Sequence, residues 1–207
     1  MKVVLFGATG KSGSRLLQEL VSRGHDVTAS ARDVGKLPIS VKAKQDDLSD
    51  AKRIAETIAG ADAVISAYAP PMDDTDQLIG VTQRQVDAVK RAGVDRLLVV
   101  GGAGGLEVAP GVSLIASGHL PAAYLPIATS HVKALNVLRS SDVDWTYFAP
   151  AAYFEPGTRT GQFRLGTDEL ITGANGESRI SMEDYAIALV DELERGARRK
   201  QRFSIGY

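Results

Sequence analysis

The stretch from Val3 to Gly13, VVLFGATGKSG, limits what this chain can fold into more than any other segment. An apolar run ends in Gly7, and Gly10 and Gly13 follow at three-residue spacings before a helical pattern with Leu16, Leu17, Leu20 and Val21 begins. Unbroken hydrophobicity over Val3-Val4-Leu5-Phe6 fits a strand covered by helices on both faces, as in a parallel sheet. Gly7 permits a tight turn, Gly10 removes the side chain where a phosphate must touch backbone, and Gly13 lets the helix sit close to the strand. The first amides of such a helix lack intrahelical partners, and its dipole adds partial positive charge there. The turn Gly7-Ala8-Thr9-Gly10-Lys11-Ser12-Gly13 is therefore expected to hold the pyrophosphate of a dinucleotide. It is not a P-loop, because Lys11-Ser12 precedes the last glycine instead of following it.

The alternation continues along the chain. Strands are expected at Asp26 to Ser30, Val41 to Lys44, Ala63 to Ser66, Leu97 to Val100 and Trp145 to Ala149. Helices are expected at Asp50 to Ala59, Thr75 to Ala92, Ile127 to Ser140 and Glu183 to Arg195, the last opened by the cap Ser181-x-x-Asp184. Phe203, Ile205 and Tyr207 alternate as in a strand. This pattern predicts a Rossmann-like, doubly wound parallel sheet of order 3-2-1-4-5-6, one domain over residues 1–207. Two segments break it. Residues 101–126 are rich in glycine and proline, and residues 151–181 read as a small C-terminal lobe with short strands near 162–165 and 169–172. Both follow strands at the carboxyl edge of the sheet, where ligands bind in such folds, so both are placed on the substrate side.

Composition removes other classes. The chain of 207 residues has a formal charge of −1 with acids and bases interspersed, which predicts no nucleic-acid or membrane partner. It has no cysteine, excluding disulfides and thiolate metal sites, and its three histidines are too scattered for a metal centre, so none is expected. The N-terminal apolar run is too short for a signal peptide's core, and the expected location is cytoplasmic. A small-molecule substrate is the expected partner, with a monomer or a homodimer both open.

The cofactor's identity is read about 20 residues past the glycine turn, where an acid would bond the ribose diol. That place holds Thr28-Ala29-Ser30-Ala31-Arg32. Ser30 and Arg32 suit a 2′-phosphate, so NADP(H) is preferred; Asp33, next in the chain, could reach a ribose and keeps NAD(H) open. Asp47 and Leu48, after the third strand, are placed beside adenine. Ser66-Ala67-Tyr68, ending the fourth strand, are placed beside the cofactor's ribose.

Taken together, GATGKSG, the ASAR segment, DDLSD, VVGGAGGLEVAPG, DWTYFAPAAYFEPGTRTGQFRLG and ISMEDYAIALVDELE resemble the atypical short-chain dehydrogenase/reductases. Within these the chain is most similar to an NAD(P)-binding, NmrA-like group, the NADH-flavin reductases, related to biliverdin-IX-beta/flavin reductase. The resemblance implies a Rossmann domain, nicotinamide binding, contacts from Gly101, Gly102 and Pro150, and reduction of free flavin or a quinone-like acceptor. Typical superfamily members carry Tyr-x-x-x-Lys on the helix after strand five, the tyrosine acting as acid. Counting back from Asp144-Trp145-Thr146, those positions hold Ile127 and His131, so the dyad is absent.

His131 is the candidate catalytic residue, either as proton donor at neutral pH or as a ribose ligand. Trp145 and Tyr147 read as core. Tyr153 and Phe154, following Pro150, are placed for substrate rings, and Arg159 either meets an anionic substrate or forms a structural ion pair. The reaction expected is hydride transfer from NAD(P)H to a flavin or quinone-like acceptor. The alternatives are a non-catalytic redox sensor that binds the dinucleotide and, less favoured, an isomerase or epimerase.

Overall fold

The computed structural model describes all residues, 1–207. Strand β1 (Lys2–Phe6) leads through the glycine turn into helix α1 (Lys11–Ser22), followed by β2 (Asp26–Ala31) and β3 (Lys42–Gln45). Then come α2 (Ala51–Ile58), β4 (Ala63–Ser66), α3 (Gln77–Ala92) and β5 (Leu97–Val100). The segment after β5 contains a small hairpin of β6 (Glu107–Ala109) and β7 (Val112–Ser113), and then α4 (Leu125–Arg139). The chain continues with β8 (Trp145–Ala149), β9 (Tyr153–Glu155), β10 (Arg164–Gly166), β11 (Arg179–Ser181), α5 (Met182–Arg195) and β12 (Gln201–Gly206).

The main sheet has the order β10-β12-β8-β5-β4-β1-β2-β3, parallel except where β10 pairs antiparallel with β12. The expected run of six strands is thus present and extended by two: β12 adds a parallel strand beside β8, and β10 closes the edge in reverse. This is a Rossmann-like α/β fold. Alternation within each strand sends Val3 and Leu5 toward α1 and α5, and Val4 and Phe6 toward the face covered by α2, α3 and α4. A strand buried on both faces has to be apolar at every position, which is why β1, β4 and β5 read as solid hydrophobic runs. The exposed edge strand β3, Lys-Ala-Lys-Gln, is charged instead, which discourages edge pairing.

Most boundaries differ from expectation by a residue or two, and the larger differences have local causes. Helix α4 begins at Leu125, because Pro126 occupies the first turn, where a missing amide costs nothing. The strand expected near 162–165 is β10, shifted to Arg164–Gly166 and part of the main sheet. No strand forms at 169–172: only Glu169 makes a bridge, to Glu107, while its own carboxylate accepts bonds from Thr167. Instead β9 and β11 pair in parallel as a separate two-stranded sheet. Ser181 caps α5 as expected, its Oγ accepting from the Asp184 amide. The return bond of a full capping box is missing. Asp184 accepts instead from the Thr160 and Gly161 amides, the Thr160 hydroxyl and the Tyr207 hydroxyl, pinning the lobe to the helix. No helix is long and apolar enough to cross a membrane.

The registers Phe6 to Ser30, Phe6 to Ser66, Ser66 to Val99 and Val100 to Phe148 align the carboxyl ends of five strands along one edge. The candidate site lies there.

Candidate functional site: a dinucleotide cleft and a histidine–tyrosine pair

Gly7 has φ +75°, and a Cβ there would lie 2.4 Å from the Ala67 carbonyl oxygen, so neither shape nor space admits a side chain. A Cβ on Gly13 would lie 2.0 Å from the Gly7 carbonyl oxygen; the close approach expected of this glycine is to the turn itself. The Gly7 and Ala8 amides donate to the Ser30 carbonyl at 3.1 and 3.4 Å, tying the turn to β2. The Ala8 side chain is buried in the core. Ala8 is therefore a structural residue of the turn, a correction to its expected cofactor role. Gly10 is the N-cap of α1 and provides no side-chain cap, and no acid stands in the first turn. The amides of Lys11, Ser12 and Gly13 consequently have no protein acceptor, which leaves three donors at a positive helix end.

Beside the turn runs a cleft lined by Phe6, Gly7, Thr9 and Gly10 on one side, and by Ser30, Ala31 and Arg32 on another. Asp46, Asp47 and Leu48 after β3, and Ala67, Tyr68 and Ala69 after β4, complete its lining. Phe6, Ala31, Asp46 and Ala69 are lining residues not singled out above; the Asp46-Asp47 pair was the only signal for any of them. Ser30 is 1% exposed and its Oγ has no hydrogen-bond partner, while the Arg32 guanidinium forms no ion pair. Asp33 has one carboxylate oxygen engaged locally. It caps the short turn Val34–Lys36, accepting from the Gly35 amide at 3.0 Å.

Asp47 and Leu48 line the cleft but their polar groups are engaged. Asp47 accepts from the Ser49 amide and hydroxyl, which holds its carboxyl below the usual range. The Leu48 amide donates to Asp46 Oδ1 at 2.7 Å and its carbonyl accepts from Arg84 Nε at 2.6 Å. Leu48 has φ +62°, a strained value for a branched residue, held by those two bonds. With its amide and carbonyl both engaged, Leu48 offers the cleft its apolar side chain. Tyr68 donates to Gln77 Oε1 at 3.1 Å, and burial raises its phenol above the ordinary value. Ser66 is buried at the end of β4, between Phe6 and Val99.

At the other end of the same edge, Gly101 and Gly102 follow β5, two strand spacings or roughly 10 Å from the glycine turn. They lie outside the cleft lining, and their lack of side chains has a packing cause. A Cβ on Gly101 would lie 2.4 Å from Tyr147 Cε1, and one on Gly102 2.8 Å from His131 Cγ. The Gly102 amide donates to the Tyr147 hydroxyl at 2.9 Å, and that hydroxyl lies 3.3 Å from His131 Nδ1. Burial pushes the Tyr147 phenol well above its usual value and lowers the His131 imidazole to about 4. Burial thus disfavours the charged imidazolium of His131, which weighs against its expected role as a proton donor at neutral pH.

Pro150 is buried just past β8. Tyr153 is 54% exposed, with the Arg179 guanidinium 5.7 Å from its ring centroid. Phe154 turns inward, its ring 4.7 Å from Tyr185, because β9 alternates between solvent and core; its expected substrate role is corrected. Arg159 is paired with Glu19 of α1 at 3.0 Å, the structural ion pair that was one of its two expected roles.

Residues 7–195 match the NAD(P)H-binding family. The chain belongs to this family. A structure from Burkholderia pseudomallei, provisionally described as an exported protein, is 47% identical over the whole of both chains with a TM-score of 0.92. One from Bacteroides thetaiotaomicron, provisionally an epimerase, is 45% identical over all of this chain and 96% of that one, TM-score 0.93. A third, from Streptococcus pneumoniae and provisionally an NADH-flavin reductase, is 33% identical over 100% and 99%, TM-score 0.88. These neighbours agree with the atypical short-chain dehydrogenase/reductase group.

The residues of this NAD(P)H-binding protein fit its ligand. Gly7 and Gly13 let the turn close tightly on its own backbone and on Ala67, three helix amides have no protein acceptor, and the buried Ser30 hydroxyl is without a partner.

Proposed function

We propose that this NAD(P)H-binding protein is a reductase that directs hydride from NADPH straight to a planar conjugated acceptor, a flavin or a quinone. One observation carries the reading: Ile127 and a neutral His131 stand where a tyrosine acid and its lysine would be. Alcohol–ketone interconversion needs a nearby donor for the developing alkoxide, and this chain offers none of that strength. A conjugated acceptor spreads the incoming charge over its own rings, so holding it in place supplies most of the catalysis. The same missing acid keeps the epimerase description of the Bacteroides neighbour from being carried to this chain.

Bound NADPH supplies the hydride, and the protein's part is to hold and orient. The amides of Lys11, Ser12 and Gly13 are assigned to the pyrophosphate. Ser30 and Arg32 are assigned to a 2′-phosphate, a reading supported by the unpaired guanidinium and by the engagement of Asp33 elsewhere. Tyr153, exposed beside Arg179, is assigned to the acceptor's flat face.

The test follows NADPH oxidation with FMN, riboflavin and quinones. Acceptor-dependent turnover is expected; tight NADPH binding with no turnover on any of them would replace this reading with the redox sensor. Arg32→Ala should lower the preference for NADPH over NADH about tenfold, the value of one charge-assisted hydrogen bond, measured as the ratio of the two Kd values.

A further inference from the structure

Tyr147 is 2% exposed and sits on β8 with its ring toward α4, as an ordinary core tyrosine would. Its hydroxyl is placed with more constraint than packing requires. It accepts from the Gly102 amide at 2.9 Å, and only two acceptors are in range for its one proton: His131 Nδ1 at 3.3 Å and the His131 carbonyl at 3.4 Å. The carbonyl belongs to helix α4, whose hydrogen-bond ladder already uses it. Nδ1 has no other partner. A phenol ordinarily accepts one bond and donates one, and donation to Nδ1 completes that pattern. The reverse arrangement would have the phenol accept two N–H bonds at once.

A neutral imidazole whose Nδ1 accepts must carry its proton on Nε2. Nε2 has no protein partner and is not among the sealed, unpartnered side-chain atoms, so this nitrogen keeps some solvent contact although most of the ring is buried. The two rings meet edge-on, with centroids 6.5 Å apart and planes at 73°, and the Gly101-Gly102 pair allows both to sit against backbone.

We infer that Tyr147 is a positioning residue: held by the Gly102 amide, it donates to His131 Nδ1 and fixes the imidazole as the Nε2–H tautomer. His131 thereby presents a fixed, neutral hydrogen-bond donor at the carboxyl edge of the sheet. Resting on the reductase reading, the group it suits is a carbonyl oxygen or ring nitrogen of the acceptor, where negative charge gathers when hydride arrives. The acceptor's balancing proton comes from water, and His131 keeps its own.

The test begins with the protein alone, with imidazole nitrogens labelled with ¹⁵N and read by long-range ¹H–¹⁵N correlation at neutral pH. His131→Asn assigns the signals among the three histidines. The expected pattern for His131 is a protonated Nε2 and an unprotonated Nδ1; a protonated Nδ1 in the wild-type protein overturns the inference. Tyr147→Phe should shift the tautomer toward Nδ1–H and lower kcat about tenfold while KM for NADPH stays within about twofold. Wild-type tautomer and wild-type kcat in that variant would also overturn it. If Tyr147→Phe fails to fold, the wild-type spectrum still decides. If no acceptor is turned over, the reductase reading falls, while the spectrum continues to test the tyrosine's role independently.

Discussion

His131 links stability to pH through a group that resists charging. In the unfolded chain an imidazole protonates at 6.5, while burial in the folded protein lowers this to about 4. Between those values the unfolded state binds more protons than the folded one. The protein therefore keeps its full stability above pH 6.5 and loses part of it as pH falls toward 4. His131→Asn should flatten the Tm against pH curve in that window, and an unchanged slope there would show that His131 does not titrate as described. Residues of this kind are only half legible in a sequence. The alternation of Trp145 with Tyr147 reveals a core strand, but the phenol's role depends on Gly102, 45 residues away, which only the fold brings to it. Arg159 is a similar case: its neighbours Gly157 and Gly161 suggest a ligand loop, and its partner Glu19 is 140 positions distant.

At the scale of elements, the lobe that follows β8 is attached through α1 and α5 more than through the sheet. Arg159 reaches Glu19 on α1, Gly157 donates to Glu183, and Asp184 gathers four donors. Because the Arg159–Glu19 pair is partly exposed, Arg159→Ala should cost less than about 1 kcal/mol in denaturant unfolding and leave kcat unaltered. A marked fall in turnover would return Arg159 to the substrate site. The central elements were legible because β-α alternation, glycine stops and a cap such as Ser181 are local signals. The lobe was less so. Gln162 to Leu165 and Glu169 to Thr172 look equally strand-like, yet only β10 finds a free edge, on β12, and the second segment meets a single residue of the β6–β7 hairpin. Strand pairing is settled by available partners more than by propensity.

Across the whole molecule, the two edges of the sheet divide the work. The carboxyl edge holds the cleft and His131, whereas the amino edge is locked by a buried ion pair. Arg96, just before β5, donates to Glu192 of α5 at 2.6 Å and to Thr146 at 3.0 Å, and Glu192 also accepts from the Arg198 amide at 2.7 Å. Without Glu192, the only carboxylate left to Arg96 would be that of Asp144 at 3.6 Å, too long for a hydrogen bond, so Glu192→Ala should destabilise the protein by about 3 kcal/mol. NADPH affinity should be unaffected, because the lock lies at the far end of the strands; chemical denaturation and a cofactor titration measure the two separately. A weakened cofactor site in that variant would mean the edges are coupled.

Strand β12, near the end of the sequence, lies between β8 and β10, both made before it. During synthesis the emerging polypeptide must therefore wait with an apolar sheet margin bare until residue 201 is free to slide into the gap. The pairings among β1 to β5 can form earlier, since each of these strands has a neighbour within that group, although the far side of β5 and the face under α5 wait for β8 and α5. The interval between these two events is when a nascent molecule is most open to misassociation with its neighbours, and when a chaperone would find it most easily.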